Sequence, residues 1–181
     1  MPHVTPLTTI RLYQANSRWR PVVESAMDDA AFARAIHELS VALWIGGVGF
    51  ITTVLMPVIR HTRPPQERLT AFQPFGNFFA WQARISVALA GLSGFYITYR
   101  FDLWDRFASL QFWWMGAMLG LWLIFAVKLS NVELLFFGRR RATFEDPNGR
   151  RFAIIQRFHE ILFVLSLVVI FAAAGGAHGL F

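Results

Sequence analysis

The chain has 181 residues, 55% of them hydrophobic and only 15% charged, with a mean hydropathy of +0.44. Soluble domains carry about 25% charged residues, so this composition excludes an ordinary soluble domain and points to a polytopic membrane protein. The net charge is +6 and cysteine is absent, which excludes disulfides, thiolate metal sites, iron–sulfur clusters and thioether-linked haem.

Residues 1–33 carry Arg11, Arg18, Arg20, Glu24, Asp28 and Asp29, too polar a set for the core of a signal peptide. They are expected to form a polar surface segment ahead of a transmembrane domain, 34–181. Crossing a bilayer as a helix takes about 20 apolar residues. Four stretches qualify: residues 35–59, 78–99, 110–130 with a helix that can continue to 137, and 158–177. Pro57 and Pro64-Pro65 are expected to end the first helix, and Asp146-Pro147-Asn148-Gly149 to form a turn before the fourth. In hydrocarbon every backbone polar group must be satisfied internally, so each span is a helix. The expected fold is all-α, a polytopic membrane protein built as a four-helix transmembrane bundle.

Arginine sets the expected orientation. Arg60, Arg63 and Arg68 follow the first span; Arg139, Arg140, Arg141, Arg150, Arg151 and Arg157 follow the third. On the other side Arg100 and Arg106 are offset by Asp102 and Asp105, although Arg11, Arg18, Arg20 and Arg34 also lie there. The positive-inside bias places inter-helix loops 1–2 and 3–4 in the cytoplasm and both termini in the periplasm of a bacterial inner membrane. These arginines read as topology signals, not as a nucleic-acid footprint. Tyr99, Trp104, Trp113 and Trp114 fit an outer aromatic belt, with Trp81 nearer the inner one. Small residues at Gly116 and Gly120, at Ser86, Ala90 and Gly94, and at Gly46, Gly47 and Gly49 would let backbones approach closely.

Ionisable residues in or beside membrane spans are functional candidates. His37 opens the first span and His159 the fourth, each followed by a glutamate, Glu38 and Glu160. The spans run in opposite directions, so the two histidines should lie roughly 25–30 Å apart across the membrane. His178 should return to the level of His37, and His61 to that of His159. An outer and an inner pair could hold two b-type haems, one per leaflet, since neutral imidazole is a common axial ligand of haem iron; a single haem on one helix-embedded histidine is the simpler form. Arg84, several residues inside the second span, could neutralise a haem propionate or pair with Glu160. Met115 and Met118 share a helix face at the level of His37; they are packing residues, or with His37 and His178 a soft site for Cu(I). Glu38 could orient the His37 ring, but neighbours in a helix point about 100° apart, so the partner belongs more naturally to another helix. No Walker loop, dinucleotide fingerprint, HExxH or nucleophile elbow is present.

The stretch "HELSVALWIGGVGF", with His37, Trp44, Gly46 and Gly47, resembles the opening helix of the copper-resistance D (CopD-like) membrane domain. "ISVALAGLSGFYI", ending near Gly94, is similar to that family's second helix. His37, Trp44 and Gly47 also resemble the first helix of the HemJ-type protoporphyrinogen oxidases, four-helix haem b proteins. Arg157, Phe158 and Glu160 are similar to the start of their last helix, with His159 where an Asn is expected. That family's Trp-x-x-x-Lys is absent, Trp114 being followed by Met118, and so are the methionine-rich loops of the copper family. Both resemblances cover about residues 35–175 and imply a first-helix histidine at a prosthetic group or metal.

The resulting expectation is a b-type haem protein for electron transfer, with His37 and His159 as ligands, acting on a quinone or porphyrin-type substrate. The alternatives are a copper-handling membrane protein using His37, Met115 and Met118, and a non-catalytic accessory subunit docking other membrane subunits or lipid headgroups.

Overall fold

The computed structural model describes residues 6–130 and 146–179, with side chains from residue 28 onward. Every regular element among the described residues is helical. Helix α1 (Pro6–Phe50) runs through a π-helical turn (Ile51–Leu55) into α2 (Met56–Thr62). Helix α3 (Pro65–Arg100) follows, then two short 3₁₀ turns, Trp104–Ala108 and Leu110–Phe112. Helices α4 (Trp113–Leu129) and α5 (Arg150–Ala177) complete the chain. The continuation of the third span to 137, the cluster Arg139, Arg140 and Arg141, and the side chains of Arg11, Arg18, Arg20 and Glu24 lie outside what is described.

Three helical stretches are long and apolar enough to cross a membrane: Asp28–Thr62, Leu110–Leu129 and Arg150–Ala177. Helix α3 is long but, with Arg84 and its polar first half, does not qualify on composition. It nevertheless packs along α1 more extensively than any other pair of elements, and α4 packs on α3 and α5. Ser40, Thr52, Ser86, Ser93, Gln156 and Ser166 are buried, while Phe78, Leu92, Leu110 and Phe171 face outward. An apolar exterior of this extent suits a hydrocarbon surround and is compatible with a multi-pass membrane protein.

Helix α1 is continuous from Pro6 into the first span. One expected boundary changes: Pro57 does not end the helix. A proline lacks the N–H for the next rung and crowds the carbonyl four residues back. The π turn immediately before it widens the ladder, and Thr52 and Thr53 donate their hydroxyls to Val48 and Gly49 carbonyls at 2.7 and 2.8 Å. The stop comes at Pro64-Pro65, where Arg63 and Pro64 are extended and Pro65 opens α3.

The turn before α5 forms as expected. The Gly149 N–H donates to the Asp146 carbonyl at 3.1 Å, and Gly149 has φ 65°, which glycine tolerates. A Cβ there would also meet the Pro65 side chain at 3.0 Å, so the start of α5 sits against the start of α3.

The core has two parts. Trp44, Val48, Val87, Leu121, Phe125 and Leu162 pack at the centre of the bundle. Ile51, Met56, Ile59, Phe72 and Phe152 pack at the end that holds the Pro64-Pro65 turn. Of the small-residue positions, Ser86 and Ala90 are buried and Gly94 meets His37, whereas Gly46, Gly116 and Gly120 have nothing within 4 Å of a built Cβ. The expected Gly116–Gly120 close approach is therefore not made among the described residues: that face of α4 is turned away from the bundle. Trp114 also departs from the expected belt. It is buried against Gly176, while Tyr99, Trp104, Trp113 and Trp81 are exposed.

Candidate functional site: two histidine-lined cavities

His37 sits on the face of α1 that meets α3. Its Nδ1 lies 2.9 Å from the Ala90 carbonyl oxygen and 3.2 Å from Ser93 Oγ. A carbonyl only accepts, so in the neutral ring the proton is on Nδ1. Ser93 spends its own hydrogen on the Leu89 carbonyl at 2.6 Å, which leaves its oxygen to accept from His37 as well. The ring lies over Gly94, where a Cβ would come 3.1 Å from His37 Cε1. Nδ1 is thus committed and Nε2 keeps a lone pair with no partner among the described residues. A histidine fixed through one nitrogen by a backbone carbonyl is prepared to offer the other to a metal. The orienting group comes from α3, not from Glu38, which is exposed.

His37 lines an apolar cavity of about 340 Å³ between α1, α3, α4 and α5. Met115 and Met118 line the same cavity, as do Trp44, Trp114 and Trp122. His37, Met115 and Met118, grouped from the sequence, are therefore brought to one cavity. Trp44 adds a feature with no mark in the sequence. Its residue is only 4% exposed, and its Nε1–H has no hydrogen-bond partner. Buried donors are nearly always satisfied, and an orphan in a cavity wall is a place for a ligand acceptor.

His159 belongs to a second cavity, of about 370 Å³, with Phe72, Asn77, Phe125 and Lys128 also on its wall. Its Nδ1 lies 2.8 Å from the Ile155 carbonyl one turn back, and the ring meets Phe72 and Phe158 edge-on. Nε2 is again the uncommitted nitrogen. The two cavities are at different levels. Gly49 of α1 meets Phe163 of α5, and from that contact His37 lies about 18 Å toward one end and His159 about 6 Å toward the other. A separation of about 24 Å keeps one metal or one porphyrin from joining them.

The remaining candidates are placed elsewhere. His178 is exposed, turned back to the Ala174 carbonyl at 2.8 Å, and lines neither cavity; His61 is exposed at the end of α2 and lines neither as well. The outer and inner histidine pairs are not assembled. Arg84 does not pair with Glu160. Its Nε donates to the Leu129 carbonyl at 2.8 Å, near the last described residues of α4. Glu160 instead accepts from Gln156 Nε2 at 2.9 Å and lies 3.7 Å from Arg157. Lys128 reaches over the Phe158 ring at 5.5 Å. Among the described residues no three His, Asp or Glu side chains converge as a metal site.

No family model, no curated protein and no solved structure matches this chain.

Proposed function

We propose that this is a four-pass membrane protein of bacterial inner-membrane type, holding b-type haem on its helix-embedded histidines and serving electron transfer. One observation carries the reading. Of the four described histidines, the two that line apolar cavities are His37 and His159, each with Nδ1 held by a backbone carbonyl and Nε2 uncommitted. An apolar cavity with one prepared imidazole suits a porphyrin, whose surface is largely apolar and whose iron takes an axial nitrogen. Bound there, the group would supply one-electron chemistry; the protein's part is to hold the imidazole, exclude water and set the surrounding polarity. The α3 helix, although polar in its first half, crosses with the other three because it is packed along α1. The CopD-like and HemJ-type resemblance of the first helix agrees with this, and a quinone or porphyrin-type reductant is the corresponding substrate class.

The test is a dithionite-reduced minus oxidised spectrum of protein purified from haem-replete cells. A sharp b-type α-band is expected, reduced in His37→Ala and in His159→Ala separately. A flat spectrum of the wild type overturns the reading.

A specific observation favours a second reading. Met115 and Met118 share the His37 cavity, and two thioethers with one imidazole form a soft donor set suited to Cu(I). In that case purified protein carries copper, and His37→Ala loses it; unchanged copper content in the variant rejects this reading.

A further inference from the structure

A third depression, of about 450 Å³, lies where α2, α3 and α5 meet, and unlike the two histidine cavities its wall is mainly polar. Arg60 of α2, Arg68 of α3, and Arg150 and Arg157 of α5 converge on it, with Asn148 beside them. The carboxylate on this wall, Glu160, is engaged with Gln156 and Arg157. Among the described residues Arg60, Arg68 and Arg150 have no carboxylate within ion-pair distance. Four guanidinium groups drawn from three helices, facing one acid, make the depression electropositive and attract an anion, although Arg68 Nε also donates to the Arg63 carbonyl at 3.1 Å.

The chemistry selects phosphate. Guanidinium is planar and bidentate toward phosphate oxygens, and a basic concavity between helix ends matches an anionic headgroup. The first-turn amides of α5 are not the attraction: those of Arg151 and Phe152 already donate to Asp146 at 3.1 and 3.0 Å. Exposed apolar side chains share the helix face of Arg157, with Ile154 three residues before it and Ile161 four after it on α5. A phosphate held here therefore has a surface along which acyl chains can run.

We infer that this depression binds the phosphate of an anionic lipid headgroup at the end of the bundle that carries His159. The inference rests on the membrane reading of the helices and is independent of haem or copper.

The experiment uses the full chain, delipidated in a zwitterionic detergent, and titrates phosphatidylglycerol, phosphatidylcholine and inorganic phosphate, with binding read by native mass spectrometry and thermal shift. Phosphatidylglycerol should bind and phosphatidylcholine should not. Binding should weaken on the order of five-fold in Arg150→Gln and about twenty-five-fold in the double variant Arg60→Gln/Arg68→Gln. Arg100→Gln, at the opposite end of α3, should stay within about two-fold, because exposed charges that distant are screened. Equal binding of the two lipids, or a double variant that binds as tightly as wild type, overturns the proposal. An equal loss in Arg100→Gln also overturns it, in favour of diffuse surface charge. Saturable binding of inorganic phosphate without phosphatidylglycerol overturns the lipid assignment in favour of a soluble phosphate. Helix content by circular dichroism verifies that each variant folds, and Arg150→Gln stands alone if the double variant does not. Release of the protein from membranes by alkaline carbonate would signal failure of the membrane reading itself, separately from these outcomes.

Discussion

Replacing Trp44 with phenylalanine separates the two roles that the indole can play. The ring packs edge-on against Phe125 with centroids 4.8 Å apart, and a phenyl ring keeps that contact. What is lost is the volume by which the indole exceeds a phenyl ring, a void of roughly 40 Å³, worth about 1 kcal/mol at ~24 cal/mol per Å³. What is gained is relief from a buried donor that has no acceptor, worth about 1–3 kcal/mol. The cofactor-free protein should therefore be unchanged or stabilised by up to about 2 kcal/mol, a rise in unfolding temperature of a few degrees. Thermal unfolding followed by circular dichroism in detergent measures it. The loaded protein should respond in the opposite direction, because a ligand that accepts from Nε1–H loses that bond in Trp44→Phe. A destabilisation of the empty protein by more than about 2 kcal/mol would refute the reasoning, since it would mean that the indole N–H is already satisfied.

Two glycines on neighbouring helices should respond with opposite signs to the same substitution. A Cβ on Gly91 would come 2.5 Å from Trp122 Cζ2, and that indole is pinned by a 2.8 Å hydrogen bond to the Val87 carbonyl. Gly91→Ala should cost about 1–3 kcal/mol as the ring is displaced, whereas Gly46→Ala meets nothing and should gain up to about 1 kcal/mol of helix propensity; denaturation of both variants checks the pair. Asp146 supplies the pH dependence. Burial pushes its carboxyl up, but the backbone N–H groups of Phe152, Arg151 and Arg150 and the charge of Arg151 outweigh it, and the net shift is below the ordinary 3.8. A depressed folded value means that its contribution is complete above about 3.8 and is lost as the pH falls through the folded value. The stability gap between wild type and Asp146→Asn should narrow over that acid range, and a gap independent of pH would exclude the cap as its source.

Much of the architecture is legible in the residues. The Pro64-Pro65 stop, the Asp146–Gly149 turn and the long apolar runs each follow from local chemistry that leaves a mark in the sequence. Other features depend on partners that leave none. Ala90 gives no hint that its carbonyl holds His37, because every residue has a carbonyl. Arg84 is visible as an expensive charge, but its choice of the Leu129 carbonyl over Glu160 depends on how the helices are rotated. The same rotation buries Trp114 on Gly176 while Trp113, one residue earlier, faces out. Pro57 failed to end its helix because a π turn relieved it, and nothing about Ile51–Leu55 taken alone demands that turn.

The two His-Glu doublets acquire a common explanation from this geometry, and it is not the one their adjacency suggests. Neighbouring helical residues project about 100° apart, so a doublet within a helix addresses two environments at once. The histidine of each turns inward, to a backbone carbonyl and an apolar cavity. Glu38 is exposed, and Glu160 joins Gln156 and Arg157 on the rim of the basic depression. Neither glutamate orients its histidine, so Glu38→Gln and Glu160→Gln should leave the imidazoles in place, while loss of Ser93 or crowding at Gly94 should not. Each pair is thus an inward-turned imidazole and a more exposed acid placed side by side by the helical repeat, one pair at each of two levels about 24 Å apart.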